Sequence, residues 1–207
     1  MNDSAVTLVG RSSSHFTRTA RLFALELGVA HRFQPVLDIT SVDRADYADN
    51  PALKVPVLVD EQGSLYGTEN ICRELARRSG QAERVVLRGQ SDVRAVANVE
   101  EMVLHAMNAE VSLIMVGLQG PEREPPKVRL GLENALAFVD AELDRALAAL
   151  PGERALSFVE AALFAVVTHL PFRKIMDIGA YGRLSAFREQ FGARPSARAT
   201  EYRFDAG

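Results

Sequence analysis

The sequence of 207 residues contains one cysteine, Cys72, so no cysteine pair can form an internal disulfide, a metal site or a redox couple. It also lacks an excess of basic residues. Its net charge of −3 argues against partners such as nucleic acid or an anionic membrane. No apolar run approaches the roughly 20 residues of a membrane span, and residues 1–4 lack the basic start of a signal peptide. We therefore expect a cytoplasmic protein.

The first eighty residues alternate strand and helix patterns. Apolar positions and turn residues predict, in order, a strand, a helix, a second strand, a hairpin and a helix, at 5–9, 16–28, 30–37, 57–66 and 68–80. The first two strands should be parallel, because a helix separates them. Thr68 is placed to cap the last helix of this half. The order βαβ-ββα predicts a small mixed sheet with helices packed on it.

The second half shows helix patterns only, and no strand is expected beyond residue 90. Long apolar stripes, together with a segment that is apolar on nearly every side, predict helices at about 91–118, 128–150, 161–170 and 183–191. Ser157 and Glu160 have the spacing of a capping box, which places a helix start at this point. We therefore predict an α+β protein with a sheet domain at 1–80 and an all-helical domain at 90–207.

The segment 54–60 places a proline, Pro56, directly before a short apolar strand. Proline cannot donate to a strand ladder, so one interpretation is that it simply begins an edge strand. The other is a cis bond between Val55 and Pro56. A cis bond would turn the N–H and C=O of Val55 outward, where they could hold an extended peptide ligand by strand-like pairing. The residues of this segment alone leave both interpretations open.

Several motifs in a fixed order together resemble the cytosolic glutathione transferases. They are Asn50-Pro51 leading into Lys54-Val55-Pro56-Val57-Leu58, the run Thr68-Glu69-Asn70-Ile71 with Leu75, and Ser157-Phe158-Val159-Glu160. The resemblance covers nearly the whole chain. It implies a thioredoxin-like first domain, a cis Val55-Pro56 bond, glutathione as co-substrate, a small electrophile as second substrate and a homodimer.

The resemblance also implies a catalytic hydroxyl. Ser14-His15-Phe16 aligns with the Ser-Pro-Phe of the tau class, and the omega class has cysteine at the serine position. Ser14 is therefore the first choice for stabilising the glutathione thiolate, with Ser12 and Ser13 as alternatives. Serine is also a common helix N-cap, so Ser14 could serve as a cap alone. His15 stands where the family usually has proline, and we expect it at the surface.

The glutathione-binding residues that the resemblance implies match the family only in part. Val55, next to Pro56, should offer its backbone to the cysteinyl part of glutathione, and Thr68 should bind the γ-glutamyl carboxylate at a helix N-terminus. Lys54 could reach the glycyl carboxylate or stay solvated. Gly67 departs from the family pattern, because most relatives have a glutamate, glutamine or aspartate at this position, which contacts the γ-glutamyl ammonium.

Two functions from different classes follow from these residues. The first is an enzyme that conjugates glutathione to small electrophiles. The second is a non-catalytic module that uses the same fold to bind or regulate other proteins, which Gly67 and His15 favour. A glutaredoxin-like activity ranks below both, since the omega-class cysteine is a serine in this chain. No metal site is expected, because His31, His169 and the acidic residues show no metal-ligand spacing.

Overall fold

A computed structural model of the chain describes residues 6–118, 120 and 123–206. Its first half contains four strands and two helices: β1 (Val6–Gly10), α1 (His15–Glu26), β2 (His31–Pro35), β3 (Val57–Asp60), β4 (Gly63–Tyr66) and α2 (Thr68–Ser79). The strand order is β2-β1-β3-β4. The predicted parallel pair, β1 with β2, and the predicted hairpin of β3 and β4 are both confirmed. Ala5, the predicted start of the first strand, lies outside the described residues.

The second half is built from helices, as predicted: α3 (Arg94–Gly117), α4 (Pro126–Ala148), α5 (Phe158–Phe172), α6 (Gly182–Gly192) and α7 (Pro195–Ala199). The expectation of no strand beyond residue 90 is wrong at one place. The strand β6 (Leu156–Ser157) pairs in parallel with β5 (Val85–Val86), which lies in the connection between the halves. Strands of two residues are too short to show an alternating pattern in the sequence. Across the described ranges, no helix is long and apolar enough to span a membrane.

The helix α5 is the central helix of the molecule. Its predicted capping box is present: the Glu160 N–H donates to Ser157 Oγ over 3.2 Å, and the Ser157 N–H donates to Glu160 Oε2 over 3.1 Å. Nearly every residue of the helix is buried, and it packs against α1, α3 and α6. Because α1 belongs to the first half and α3 and α6 belong to the second, α5 lies between the two halves and contacts both.

The two faces of the sheet pack against different clusters, as the two-residue period of a strand requires. Leu8 and Leu58 point into the main core. Val9 and Val57, their neighbours in sequence, point into a smaller cluster around Tyr47. The main core is continuous across both halves and includes Phe23, Leu75, Val103, Phe158 and Leu163. This continuity holds the edge of the sheet against the helices that follow.

Candidate functional site

The register of the sheet brings together the three segments that carry the predicted site residues. Val57 pairs with Val9 of β1 on one side and with Tyr66 of β4 on the other. Just beyond this row lie the loop after β1, the segment before β3 and the start of α2, at residues 11–14, 54–56 and 67–68. Segments far apart in sequence therefore meet at one edge of the sheet.

The serine loop, residues 11–14, ends at the N-cap of α1. Ser14 has extended backbone angles, and its Oγ accepts a hydrogen bond from the Thr17 N–H over 3.2 Å. Ser12 and Ser13 are buried, whereas Ser14 is partly exposed. A hydroxyl that accepts one bond still has its own hydrogen to donate. The capping role of Ser14 and a role toward a ligand are therefore compatible.

Two other contacts hold the serine loop in place. The Ser12 N–H donates to Asp205 Oδ2 over 2.8 Å, so the C-terminal segment lies against the loop. At the start of the loop, Gly10 approaches α1 so closely that a Cβ atom there would lie 2.4 Å from Thr17 Cγ2. Any larger residue at this junction would have to displace the side chain of Thr17 in the first turn of the helix.

The Val55-Pro56 bond is cis, so the second of the two interpretations is confirmed. The buried side chain of Asn50 shapes the preceding turn: its Nδ2 donates to Lys54 O over 2.7 Å, and its Oδ1 accepts from the Ala52 N–H over 3.0 Å. Among the described residues, none forms a hydrogen bond with the N–H or C=O of Val55. The backbone of Val55 is free to pair with a ligand, and the side chain of Lys54 is exposed beside it.

The N-terminus of α2 differs from the prediction by one residue. Gly67, not Thr68, is the N-cap, and it provides no side-chain cap. The backbone of Gly67 has φ +89°, a conformation that other residues rarely adopt, so the chain turns into the helix one residue earlier than expected. The Ile71 N–H is the first to bond within this helix, to Gly67 O. The N–H groups before it are available to an anion.

A cavity of about 250 Å³ lies between this helix end and the second half. Its lining residues are Phe16, Gly67, Thr68, Glu69, Asn70, Leu104 and Phe158. Glu69 is the acidic residue of this lining, and its Oε1 lies 3.0 Å from Arg88 Nη1. Of the predicted site residues, Gly67 and Thr68 line the cavity, whereas Ser14 and the segment 54–56 lie outside its lining.

Sequence reasoning missed a buried cluster behind the serine loop. His15, expected at the surface, is 2% exposed, because it begins α1 beneath α3 and α5. Its Nδ1 lies 3.2 Å from Glu110 Oε2 and 3.0 Å from His169 Nδ1, and His169 Nε2 donates to Ser13 O over 2.8 Å. Burial lowers the pKa of the His15 imidazole below its ordinary value. No local pattern could have revealed this cluster, because its members lie far apart in the sequence.

Burial also acts on two other ionisable groups near the site. Glu110 is completely buried, which by itself would raise its pKa, but the adjacent imidazoles of His15 and His169 outweigh burial and the pKa is lowered. The thiol of Cys72 is also fully buried, and burial raises its pKa well above the ordinary value. Cys72 therefore serves in packing.

The first half of the chain matches a known family. Residues 8–83 match the family described as "Glutathione S-transferase, N-terminal domain". A search of curated proteins found no match.

The whole chain resembles solved bacterial structures. A glutathione S-transferase from Methylobacillus flagellatus, with glutathione bound, superimposes with a TM-score of 0.78 at 21% identity, covering 96% of this chain and all of that one. A second, from Methylobacterium radiotolerans in complex with glutathione sulfonate, gives 0.75 at 18% identity, covering 98% and 97% of the two chains. A glutathione transferase family member from Pseudomonas fluorescens, with bound glutathione, gives 0.75 at 21% identity, covering 96% and 100%. At these identities the likeness shows a common fold.

Proposed function

We infer that the chain belongs to the glutathione transferase superfamily, and on that premise we propose that it binds glutathione at the edge of the sheet and transfers it to small electrophiles. One observation carries the proposal. The cross-strand row at Val57 brings together a partly exposed hydroxyl, an unpaired backbone segment and an open helix N-terminus. These three groups complement the thiol, the peptide backbone and the γ-glutamyl carboxylate of glutathione.

Ser14 is the group assigned to the thiol. Its Oγ already accepts the Thr17 N–H, which orients the hydroxyl and leaves its hydrogen free to donate to a thiolate. The N-terminus of α1 adds a favourable electrostatic field for a negative charge. Lowering the pKa of a thiol by ~2 units takes about 2.7 kcal/mol of differential interaction. One charge-assisted hydrogen bond and the helix terminus together supply this amount.

The backbone of glutathione is assigned to Val55, and its γ-glutamyl carboxylate to Thr68. The unpaired N–H and C=O of Val55 can form the two hydrogen bonds of a short antiparallel pair with the cysteinyl residue. The Thr68 hydroxyl has no hydrogen-bond partner among the described residues, and it stands at the open end of α2. Lys54 precedes Val55 in the sequence, and we assign the glycyl carboxylate of glutathione to its ammonium group.

The γ-glutamyl ammonium needs an acidic partner that Gly67 cannot provide. Glu69 lines the same cavity as Gly67 and Thr68. Its ion pair with Arg88 is partly exposed, which leaves carboxylate surface available to a second cation. We assign the ammonium to Glu69, with weaker binding than a dedicated carboxylate at position 67 would give.

The second function remains the non-catalytic module, and one observation favours it beyond Gly67. Asp205 accepts the Ser12 N–H, so a carboxylate of the chain itself already occupies a backbone donor of the serine loop. A protein that uses this surface only to bind partner proteins does not need an accessible site for the glutathione thiol.

Calorimetric titration with glutathione separates the two functions. If the protein is an enzyme, it should bind glutathione saturably. Glu69→Gln should then weaken this binding by roughly tenfold, which corresponds to the loss of one hydrogen bond to a charged group. The exposed Glu101, whose carboxylate also contacts Arg88, provides the matched control, because Glu101→Gln removes a charge outside the cavity. Absence of binding at millimolar glutathione, together with no conjugation of a general electrophile, would favour the module.

We also propose a homodimer, as the resemblance implies. Apolar side chains are exposed along α3 and α4, namely Val111, Met115, Leu130 and Phe138. An apolar surface shared by two helices is typical of a contact between subunits. Light scattering should give twice the mass of one chain at micromolar concentrations, and a monomer mass across this range would contradict the proposal.

A further inference from the structure

The buried cluster His15–Glu110–His169 joins three helices from the two halves of the molecule. His15 begins α1, Glu110 lies on α3 and His169 on α5. Glu110 is completely buried, and the histidines are 2% and 3% exposed. The two Nδ1 atoms are 3.0 Å apart, and the carboxylate oxygens lie 3.2 Å from His15 Nδ1 and 2.9 Å from His169 Nδ1. Two imidazole nitrogens and the two oxygens of one carboxylate therefore lie together in a buried cluster that could hold a metal ion.

The hydrogen-bond pattern leaves the carboxylate without a well-directed donor, although both imidazoles lie beside it. Ser13 O can only accept, so His169 Nε2 carries a hydrogen, and Nδ1 of a neutral His169 is then an acceptor. This acceptor faces Glu110 Oε1, which is also an acceptor. Within the described part of the chain, neither oxygen of Glu110 receives a well-directed hydrogen bond. A fully buried carboxylate in this situation is costly unless a cation balances it.

A metal ion satisfies all three groups at once. Zinc binds histidine nitrogen and carboxylate oxygen at about 2.0–2.2 Å, so tetrahedral ligand atoms are roughly 3.3–3.5 Å apart. The two Nδ1 atoms are 3.0 Å apart and each lies 2.9 or 3.2 Å from one of the two carboxylate oxygens, which is within about half an ångström of that spacing. Metal-binding histidines generally donate their second N–H to a carbonyl or carboxylate, as His169 does to Ser13 O.

We propose that His15, Glu110 and His169 bind one divalent transition-metal ion, with zinc as the best match to two imidazoles and one carboxylate. The ion would join α1 of the sheet half to α3 and α5 of the helical half. Because His169 donates a hydrogen bond to Ser13 O, the ion would also hold the serine loop in position. The inference is independent of glutathione binding, because no residue of the cluster lines the cavity at α2.

The test begins with full-length protein that has been dialysed against a chelator. Zinc is added in a calorimeter, and cobalt(II) is added in a spectrophotometer, where a tetrahedral site gives intense visible bands. We expect one equivalent of metal per chain and a higher melting temperature with zinc. Glu110→Gln, which keeps the shape of the side chain, should weaken zinc binding about a hundredfold or more, at or beyond the upper range of losses for groups that only support a ligand.

His105→Gln is the matched control, because His105 lies on the same helix as Glu110 and is exposed. It should bind zinc as the unaltered protein does. The proposal is overturned if the unaltered, metal-free protein takes up no zinc at micromolar concentrations. It is also overturned if Glu110→Gln binds zinc as tightly as the unaltered protein, or if His105→Gln loses binding equally. Circular dichroism of Glu110→Gln shows whether the variant is folded, so that a loss of zinc binding is not mistaken for a loss of fold. If the variant does not fold, the zinc titration of the unaltered chain alone tests the proposal.

Discussion

Replacing Gly67 by glutamate tests whether the missing acidic side chain limits glutathione binding. A Cβ atom at this position meets only Asn70 Nδ2, at 3.6 Å, so there is space for a side chain. The backbone is less permissive, since φ is +89°. Holding a residue other than glycine in such a conformation costs about 1–3 kcal/mol. The free and the bound protein share this cost, so it lowers the free energy of unfolding and leaves the affinity unaffected.

The affinity should change through the new carboxylate alone. A hydrogen bond to a charged group contributes about 1.5–3 kcal/mol, which corresponds to roughly ten- to a hundredfold tighter binding. Gly67→Ala carries the same backbone strain without the carboxylate and is therefore the control. Calorimetry gives both dissociation constants, and thermal melts should show that the two variants are destabilised to a similar extent.

Glu69 has to be accounted for in this comparison. If Glu69 already meets the ammonium, the gain from Gly67→Glu is partly masked, and it should appear in full when Glu69→Gln is combined with it. The reasoning is refuted if Gly67→Glu binds glutathione no tighter than Gly67→Ala in both backgrounds. The limiting defect would then lie elsewhere in the site.

Three other variants test separate parts of the structure. Ser14→Ala should raise the pKa of the bound glutathione thiol, which can be measured from the ultraviolet absorbance of the thiolate. The same change should lower the free energy of unfolding by about 1 kcal/mol, because the helix loses its N-cap. An unchanged pKa would mean that Ser14 serves as a cap alone. Glu160 is mostly buried, which raises its pKa, but two hydrogen bonds of 2.8 Å from Arg154 and the capping box outweigh burial and the pKa is lowered. The stability that it contributes is thus present above the unfolded pKa of about 4.3 and lost as pH falls through the lower folded value. Glu160→Gln should therefore destabilise the protein by about 3 kcal/mol at pH 7, with a difference that shrinks below about pH 4, and a difference independent of pH in urea titrations would contradict this. Gly10→Ala should cost about 1–3 kcal/mol through the contact with Thr17, and a melting temperature equal to that of the unaltered protein would show that the helix end can shift freely.

The elements of the fold could be predicted because each depends on local patterns. Alternating apolar residues mark the strands of the sheet, and the stripes of α3 and α4 repeat over many turns. The capping box at Ser157 and Glu160 is also local, since its two residues satisfy each other. The pair of β5 and β6 could not be predicted in this way, because two residues carry no period and their partners are 71 positions apart.

The site was predictable only in part, for the same reason. Val55 and Pro56 form a local motif, and so does the start of α2, where the error was the single step from Thr68 to Gly67. The surroundings of His15 depend on two helices from the other half of the chain. Proline is the usual residue at that position, and nothing in the neighbouring sequence indicates that histidine there will be buried.

The serine loop depends on residues that the ribosome adds long after the loop itself. Two of its backbone anchors, the Ser12 N–H to Asp205 and Ser13 O to His169, span 193 and 156 positions of the chain. At about 5–20 residues per second, Asp205 follows Ser12 from the ribosome roughly 10–40 s later. The four strands of the sheet can pair well before that time, so the sheet forms first and its serine loop takes its final shape later. A chain without the helical half would therefore present a serine loop of different shape.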